Sequence, residues 1–335
     1  MIEVAVLTGF LGSGKTTLLG RLLKSPKFAR TAVIINEFGE VGLDHDLIET
    51  SDESFVELQT GCLCCRMRGD LALTLEDLLR RRDEGLVPAF DRVVIETSGL
   101  ADPAPILHAL MSDGPLARRL ALAGVVTTVD AVNGLAALAR PEAVRQVAVA
   151  DRLILTKADL LEGSASELSR RLCAINSTAR LLTARFGDVD PERLFAVEPA
   201  TGELAGSRPR PASPRAAAKA DAHPARHAGV SSFALVREEP IRAVALTLLL
   251  EALAEQCGRD LLRLKGIVNV AESPERPAVV HGVQHVFHPP AWLDRWPSED
   301  RRSRLVFIVE GVARAWVEAL LAAIEIEVGE VADRG

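Results

Sequence analysis

The chain has no tyrosine, and aromatic residues make up only 4% of its 335 residues. Single-stranded nucleic acid is held largely by stacking on aromatic faces, so this scarcity argues against such a role. Positive charge is not in excess either: 39 Lys and Arg stand against 46 Asp and Glu, a formal net charge of −7. That sign gives no general attraction to a phosphate backbone, and binding nucleic acid would need a local basic patch. No uninterrupted apolar run reaches about 18 residues, which argues against a membrane-spanning helix. The longest candidate, Ala243 to Leu250, stops at Glu251 and reads as a buried helix. A basic leader is missing from the N-terminus, so no secretory signal is expected. Cysteine is sparse, and three of the five are packed into Cys62-Leu63-Cys64-Cys65. That spacing is no framework for secreted disulfides, and a reducing, cytoplasmic setting is the expectation.

What the sequence does hold begins at Gly9-Phe10-Leu11-Gly12-Ser13-Gly14-Lys15-Thr16. An apolar run, Val4-Ala5-Val6-Leu7, precedes it, and Thr17-Leu18-Leu19-Gly20-Arg21-Leu22-Leu23 follows with helical spacing. Strand, glycine loop and helix are the setting that a G-x-x-x-x-G-K-[ST] phosphate loop requires. Gly9, Gly12 and Gly14 let the backbone wrap an anion, so that N–H groups through Ser13, Thr16 and Thr17 and the helix N-terminus point at phosphate oxygens. Lys15 is expected to reach the β- and γ-phosphates, and the Thr16 hydroxyl to ligate Mg²⁺. The alternative is a glycine-rich turn that binds nothing.

Apolar runs recur at Thr31–Ile35, Arg92–Ile95, Gly124–Val129 and Arg152–Leu155, with helical stretches between them and a further strand expected at Ser54–Leu58. Runs without alternation suit parallel strands covered on both faces. The pattern predicts an α/β domain with a mostly parallel sheet, its strand ends near residues 8, 36, 96, 130 and 156 lining one edge. Composition changes near residue 205, where a segment rich in Pro, Ala and Arg begins. It reads as an extended linker over residues 206–230, separating a nucleotide domain (1–205) from a small C-terminal α+β domain (231–335). In that domain the sequence predicts strands at Ser231–Val236, Leu261–Val270, Ala278–Phe287 and Arg304–Glu310. Helices are expected at Ile241–Cys257 and Ala315–Ile324, the whole forming an antiparallel sheet with two helices. No internal repeat is present.

Two further segments fit a nucleotide switch. Glu96 ends a buried strand, where an acid can stand near Mg²⁺ or the attacking water. Three residues on, Gly99 can approach a γ-phosphate through its backbone N–H, and the Leu100-Ala101-Asp102-Pro103 segment would move when that phosphate leaves. A capped strand end is the plainer reading of the same residues. Downstream, Thr156-Lys157-Ala158-Asp159 also follows a strand. The Asp159 carboxylate can accept from guanine N1–H and the N2 amine, which adenine does not offer, while the Lys157 stem packs over the base. This favours GTP over ATP.

Cys62, Cys64 and Cys65 supply most of a tetrahedral thiolate site without completing it. A carboxylate such as Glu37, or water, would finish a site from which the metal must later leave. Buried apolar cysteines or a redox pair are the alternatives.

Taken together, Gly9–Thr16, Asn36-Glu37-Phe38-Gly39, Gly61-Cys62-Leu63-Cys64-Cys65, Glu96-Thr97-Ser98-Gly99 and Thr156-Lys157-Ala158-Asp159 resemble the CobW family of P-loop GTPase metallochaperones. That family is related to the UreG and HypB nickel-insertion GTPases. The resemblance continues through Arg263-Leu264-Lys265-Gly266 and His281-Gly282-Val283-Gln284-His285. It implies slow GTP hydrolysis coupled to loading and release of Zn²⁺ or Co²⁺ at the Cys62–Cys65 loop, with Glu37 a neighbour and a client metalloprotein as partner. Self-association into a homo-oligomer is left open. Many relatives carry a His-rich run between domains; here only His223 and His227 stand there and read as solvated. His281, His285 and His288 read as structural or partner-facing. A P-loop ATPase or kinase with a structural metal, and a non-catalytic metal sensor, are the competing functions.

Overall fold

The computed structural model describes residues 1–36, 55–57, 63–66, 70–112, 114–161, 163–184, 189–191, 194 and 229–333. Residues 206–228 of the expected linker, with His223 and His227, and also Glu37 and Cys62, therefore lie outside the described residues, while Val230 at its expected end already belongs to a strand. By internal contacts the chain divides into two compact units, Met1–Leu172 with Ala179–Val197, and Cys173–Thr178 with Glu198–Gly335.

The strands of the first unit are β1 (Ile2–Gly9), β2 (Thr31–Asn36), β3 (Phe55–Glu57), β4 (Leu63–Arg66), β5 (Arg92–Thr97), β6 (Leu120–Asp130), β7 (Arg152–Thr156) and β8 (Arg180–Thr183). They form an eight-stranded sheet in the order β3-β4-β2-β5-β1-β6-β7-β8. Every neighbouring pair is parallel except β3 with β4, so the expected mostly parallel sheet is the one observed. Parallel pairing needs crossovers, which α1 (Lys15–Leu22), α2 (Leu71–Asp83), α3 (Ala104–Ser112), α4 (Gly114–Ala117), α5 (Gly134–Ala137), α6 (Pro141–Ala148) and α7 (Ser166–Ile175) provide. Val93, Val94 and Ile95 of β5 are fully buried, as a strand covered on both faces requires. On one side Leu18, Leu19 and Leu22 of α1 pack with Leu7, Val33, Val94, Val126 and Ile154 into a single core. α2 starts where the Asp70 carboxylate accepts the Ala72 N–H at 2.7 Å, and it buries Leu71, Leu75, Leu78 and Leu79.

Two details depart from the sequence expectation. Cys64 and Cys65, expected on a loop, are the middle residues of β4, because β2 offers Leu63–Arg66 a parallel partner. β8 is an additional strand, four residues long, too short for its pattern to declare itself.

The second unit contains β9 (Val230–Arg237), α8 (Ala243–Gln256), β10 (Leu261–Val268), β11 (Ala278–Val283), β12 (Val286–Phe287), β13 (Ala291–Trp292), β14 (Ser303–Glu310) and α9 (Arg314–Asp333). Its sheet runs β12-β11-β10-β14-β9, with β13 beside β11, and every pairing is antiparallel. Leu246, Leu249 and Leu253 of α8 and Val317, Leu321 and Ile324 of α9 join Leu264, Val268, Val280 and Phe307 in one core. Phe233 and Phe307 stack across β9 and β14 with ring centroids 5.1 Å apart. The expected single strand Ala278–Phe287 is broken into β11 and β12, because Gln284 takes a left-handed conformation (φ 53°) and turns the chain back on itself. Among the described residues no helix is long and apolar enough to cross a membrane.

Candidate nucleotide and metal site

Because β1, β5, β6 and β7 are parallel, their C-terminal ends share one edge, where open α/β sheets hold ligands. The loop between β1 and α1 occupies that edge. Gly9, Gly12 and Gly14 have φ of 145°, 69° and 88°, values that side-chain-bearing residues rarely adopt. A Cβ on Gly9 would stand 2.3 Å from Thr128 Oγ1 and 2.5 Å from the Thr128 carbonyl oxygen, so no side chain fits. Gly14 is the N-cap of α1, whose first turn carries no acidic residue, leaving its N–H groups available to an anion. Lys15 is 9% exposed and its Nζ donates to the Gly9 carbonyl at 2.9 Å, holding the ammonium on the loop itself. Thr17 is exposed one residue beyond Thr16.

Beneath the loop lies a layer of buried hydroxyls. Ser13 Oγ and Thr128 Oγ1 are 2.7 Å apart, Thr97 Oγ1 donates to Thr8 Oγ1 at 2.8 Å, and Thr156 Oγ1 donates to the Ser13 carbonyl at 2.6 Å. These bonds tie the loop to the ends of β6 and β7 and join the ends of β1 and β5. The last one gives Thr156 a defined part, since it fastens the expected base-reading segment to the phosphate loop. Sequence reasoning passed over Thr8, Thr97 and Thr128; the available signal was hydroxyls at the ends of otherwise apolar strands.

Thr16 Oγ1 donates to Glu96 Oε1 at 2.9 Å, and Glu96 is only 3% exposed. A hydroxyl and a carboxylate beside an anion-binding loop are the hard oxygen donors that Mg²⁺ takes, with phosphate and water filling its other positions. The two residues therefore fit the ion. Gly99 lies against the phosphate loop so closely that a Cβ would stand 2.8 Å from both the N and the Cα of Leu11.

At the end of β7, Lys157 has a left-handed backbone (φ 55°) and its Nζ donates to Asp130 Oδ2 at 2.8 Å. Asp130 also accepts from the backbone N–H of Val132 and Asn133 and from the Asn133 side chain. Burial pushes the Asp130 carboxyl up, but Lys157, Asn133 and these backbone donors outweigh it and hold the group below the usual range. Asp159 follows, half-buried. Beside these residues a cleft of about 450 Å³ is lined by Phe10, Ser13, Asp130, Asn133, Gln146 and Lys157, among others.

Of the expected thiolate set, Cys64 and Cys65 occupy consecutive positions of β4, paired with Val33 and Ile34 of β2. Ile34 also pairs with Ile95 of β5, and Ile35 with both Arg66 and Glu96. The cysteine strand is thus two strands from the Glu96 strand, at matching register, which puts their backbones about 10 Å apart. Of the C-terminal histidines, His281 is on β11, and His288 is a residue beyond β12, where burial pushes its imidazole pKa down.

Residues 3–183 match the family described as CobW/HypB/UreG, nucleotide-binding domain. The chain belongs to the CobW/HypB/UreG family. Residues 230–325 match the cobalamin synthesis protein cobW C-terminal domain. Among CobW relatives, the protein named zinc chaperone YjiA from Escherichia coli (strain K12) is 36% identical over 308 residues, 92% of this chain and 93% of that protein. One named zinc chaperone CobW from Pseudomonas aeruginosa is 32% identical over 363 residues, covering 94% of this chain and 89% of its own length. A crystal structure of a Zn(II)-bound triple mutant of the YjiA GTPase superposes with a TM-score of 0.77 at 32% identity, over 97% of this chain and 99% of that one. The family resemblance and the fold class expected from the sequence are thereby borne out.

Proposed function

We propose that this CobW-family protein hydrolyses GTP and uses the cycle to load and release Zn²⁺, which it hands to a client metalloprotein. The observation that carries the reading is the register across β4, β2 and β5. It sets the strand of Cys64 and Cys65 across β2, at matching register, from the strand whose Glu96 bonds Thr16 of the phosphate loop. Cys62, Cys64 and Cys65 are the proposed ligands of the transferred ion, with Glu37 a fourth; thiolates suit Zn²⁺, and Co²⁺ is the less favoured cargo. The names of the relatives, zinc chaperones and a GTPase, support the same assignment.

In this reading residues 1–205 form the GTPase part, 206–230 connect, and 231–335 contribute to client choice. Lys15 and the N–H groups of Gly12 to Thr17 hold the phosphates, and Asp159 selects guanine while Lys157, steadied by Asp130, covers the base. Mg²⁺, when bound, offsets the charge that develops on the phosphates, and Thr16 and Glu96 are the groups that would hold it. Gly99 and the Leu100–Pro103 segment sense the γ-phosphate, and β5 and β2 carry that displacement to β4. Ligands on a segment that shifts cannot keep one geometry in both nucleotide states. The test is a competition titration of Zn²⁺ with the chain saturated by Mg²⁺ and a non-hydrolysable GTP analogue, then by GDP. Different affinities are expected; equal ones would sink the coupling. Preferential binding of ATP would overturn the guanine assignment.

A further inference from the structure

The segment after β5 is fastened from behind by a residue to which the proposed cycle assigns no part. Gln146 lies on α6, is fully buried, and its Nε2 donates to two carbonyls, Gly99 at 3.1 Å and Ala101 at 3.0 Å. Its own carbonyl accepts the Thr127 hydroxyl at 2.8 Å, which anchors this turn of α6 to β6. Gly99 is at the same time pressed on the backbone of Leu11. The Ser98–Pro103 segment is therefore held between the phosphate loop and α6. A trans peptide points its C=O and N–H in opposite directions, so drawing the Gly99 carbonyl toward α6 turns the Leu100 N–H away from it.

The other half of the same amide says why a glutamine stands there. Gln146 Oε1 is buried and has no hydrogen-bond partner. A buried unsatisfied acceptor costs stability, and an apolar side chain of the same length would avoid that cost. What Gln146 offers in return is Nε2, and both of its bonds go to the one segment that must respond to the γ-phosphate.

We infer that Gln146 is a positioning residue for the nucleotide switch: its amide holds the Gly99–Ala101 backbone docked on the phosphate loop, the pose that favours GTP over GDP. The inference rests on the GTPase reading above and adds to it the device that sets the switch. Two neutral hydrogen bonds, allowing for part replacement by water, amount to about a tenfold bias between docked and released poses.

The variant to make is Gln146→Met, which keeps the volume and removes the donor and the orphaned acceptor together. With Gln146→Met, affinity for a GTP analogue is expected to fall about tenfold while affinity for GDP is unchanged, and kcat falls with little change in thermal midpoint. Gln146→Leu, which has no donor in any protonation state, should lose the preference as well. Equal losses for both nucleotides, or none, would overturn the inference. Amide hydrogen exchange of the nucleotide-free chain gives an independent reading: Leu100 and Ala101 should exchange about tenfold faster in Gln146→Met, and unchanged exchange also counts against the tether. If the wild-type chain binds no guanine nucleotide, the GTPase reading falls, and exchange alone decides whether Gln146 holds the segment.

Discussion

The first sheet gathers most of its buried polar side chains at the C-terminal ends of its strands, whereas those of the second are scattered along it. Thr8, Glu96, Thr97, Thr128, Asp130 and Thr156 are all buried and lie within two residues of a strand C-terminus in the first unit. In the second, Arg263 and Lys265 are buried midway along β10, and Ser303 opens β14. Strand direction accounts for the contrast. A parallel sheet brings every C-terminal end to one edge, so hydroxyls, carboxylates and the start of α1 converge on one small volume. An antiparallel sheet sends alternate ends to opposite edges, and no edge collects such a set. Burial of a polar group is thus no mark of a site by itself; convergence is.

The sharpest way to break that comparison is to remove one buried lysine from each unit, Lys15 at the start of α1 and Lys265 within β10. Lys15 and Lys265 are 9% and 7% exposed, nearly the same. Lys15→Ala is expected to lower GTP turnover by about 1000-fold, the loss of a charged donor aimed at the phosphates. Lys265→Met should lower the unfolding midpoint and leave turnover within about twofold, because its loss is felt in folding. Steady-state phosphate release and a thermal melt on each variant decide the matter. If Lys265→Met were to cost as much turnover as Lys15→Ala, the functional distinction between the sheets would be lost.

Next in size is the end proposed to read the base. Asp159→Asn should reduce the preference for GTP over ATP by about 100-fold, since an amide cannot accept both guanine donors as a carboxylate does. Competition between the two nucleotides measures it. An unchanged preference would move base selection to another residue and leave only the phosphate half of the edge assigned.

Much of this edge was legible in the sequence because its requirements are local. Gly9, Gly14 and Lys15 are set by one tight loop, and Val4–Leu7 and Val93–Ile95 read as buried strands from their unbroken apolar character. What escaped depends on distant partners. Leu63–Arg66 carries no periodicity and becomes a strand because β2 and β3 pair with it on either side. Gln146 reads as a polar position on a helix, yet it is fully buried against carbonyls 47 and 45 residues away. In the second unit, the turn at Gln284 has neither Gly nor Asn at its left-handed position, so nothing local announced it.

The smallest expected effect concerns a carboxylate that only resembles the site's. Asp130 and Asp300 are both held below the usual range, but Asp130 is buried at the shared edge and grips Lys157, whereas Asp300 is partly exposed among arginines before β14. Its hydrogen bond from Arg302 is the main cause; burial pushes the other way, and Arg304 adds to the lowering, leaving Asp300 at about 2. A depressed carboxyl stabilises the fold fully above its unfolded pKa, near 3.9, and that contribution fades as pH falls toward the folded value. Ion pairs this exposed are worth little, so Asp300→Asn should cost less than about 1 kcal/mol at pH 7, a cost that shrinks from about pH 4 downward and vanishes only below about pH 2, with GTP turnover at pH 7 untouched. Denaturant melts of the variant and the parent across that range read the difference directly. A gap that stayed constant down to pH 2 would mean that packing, and not charge, is what Asp300 contributes.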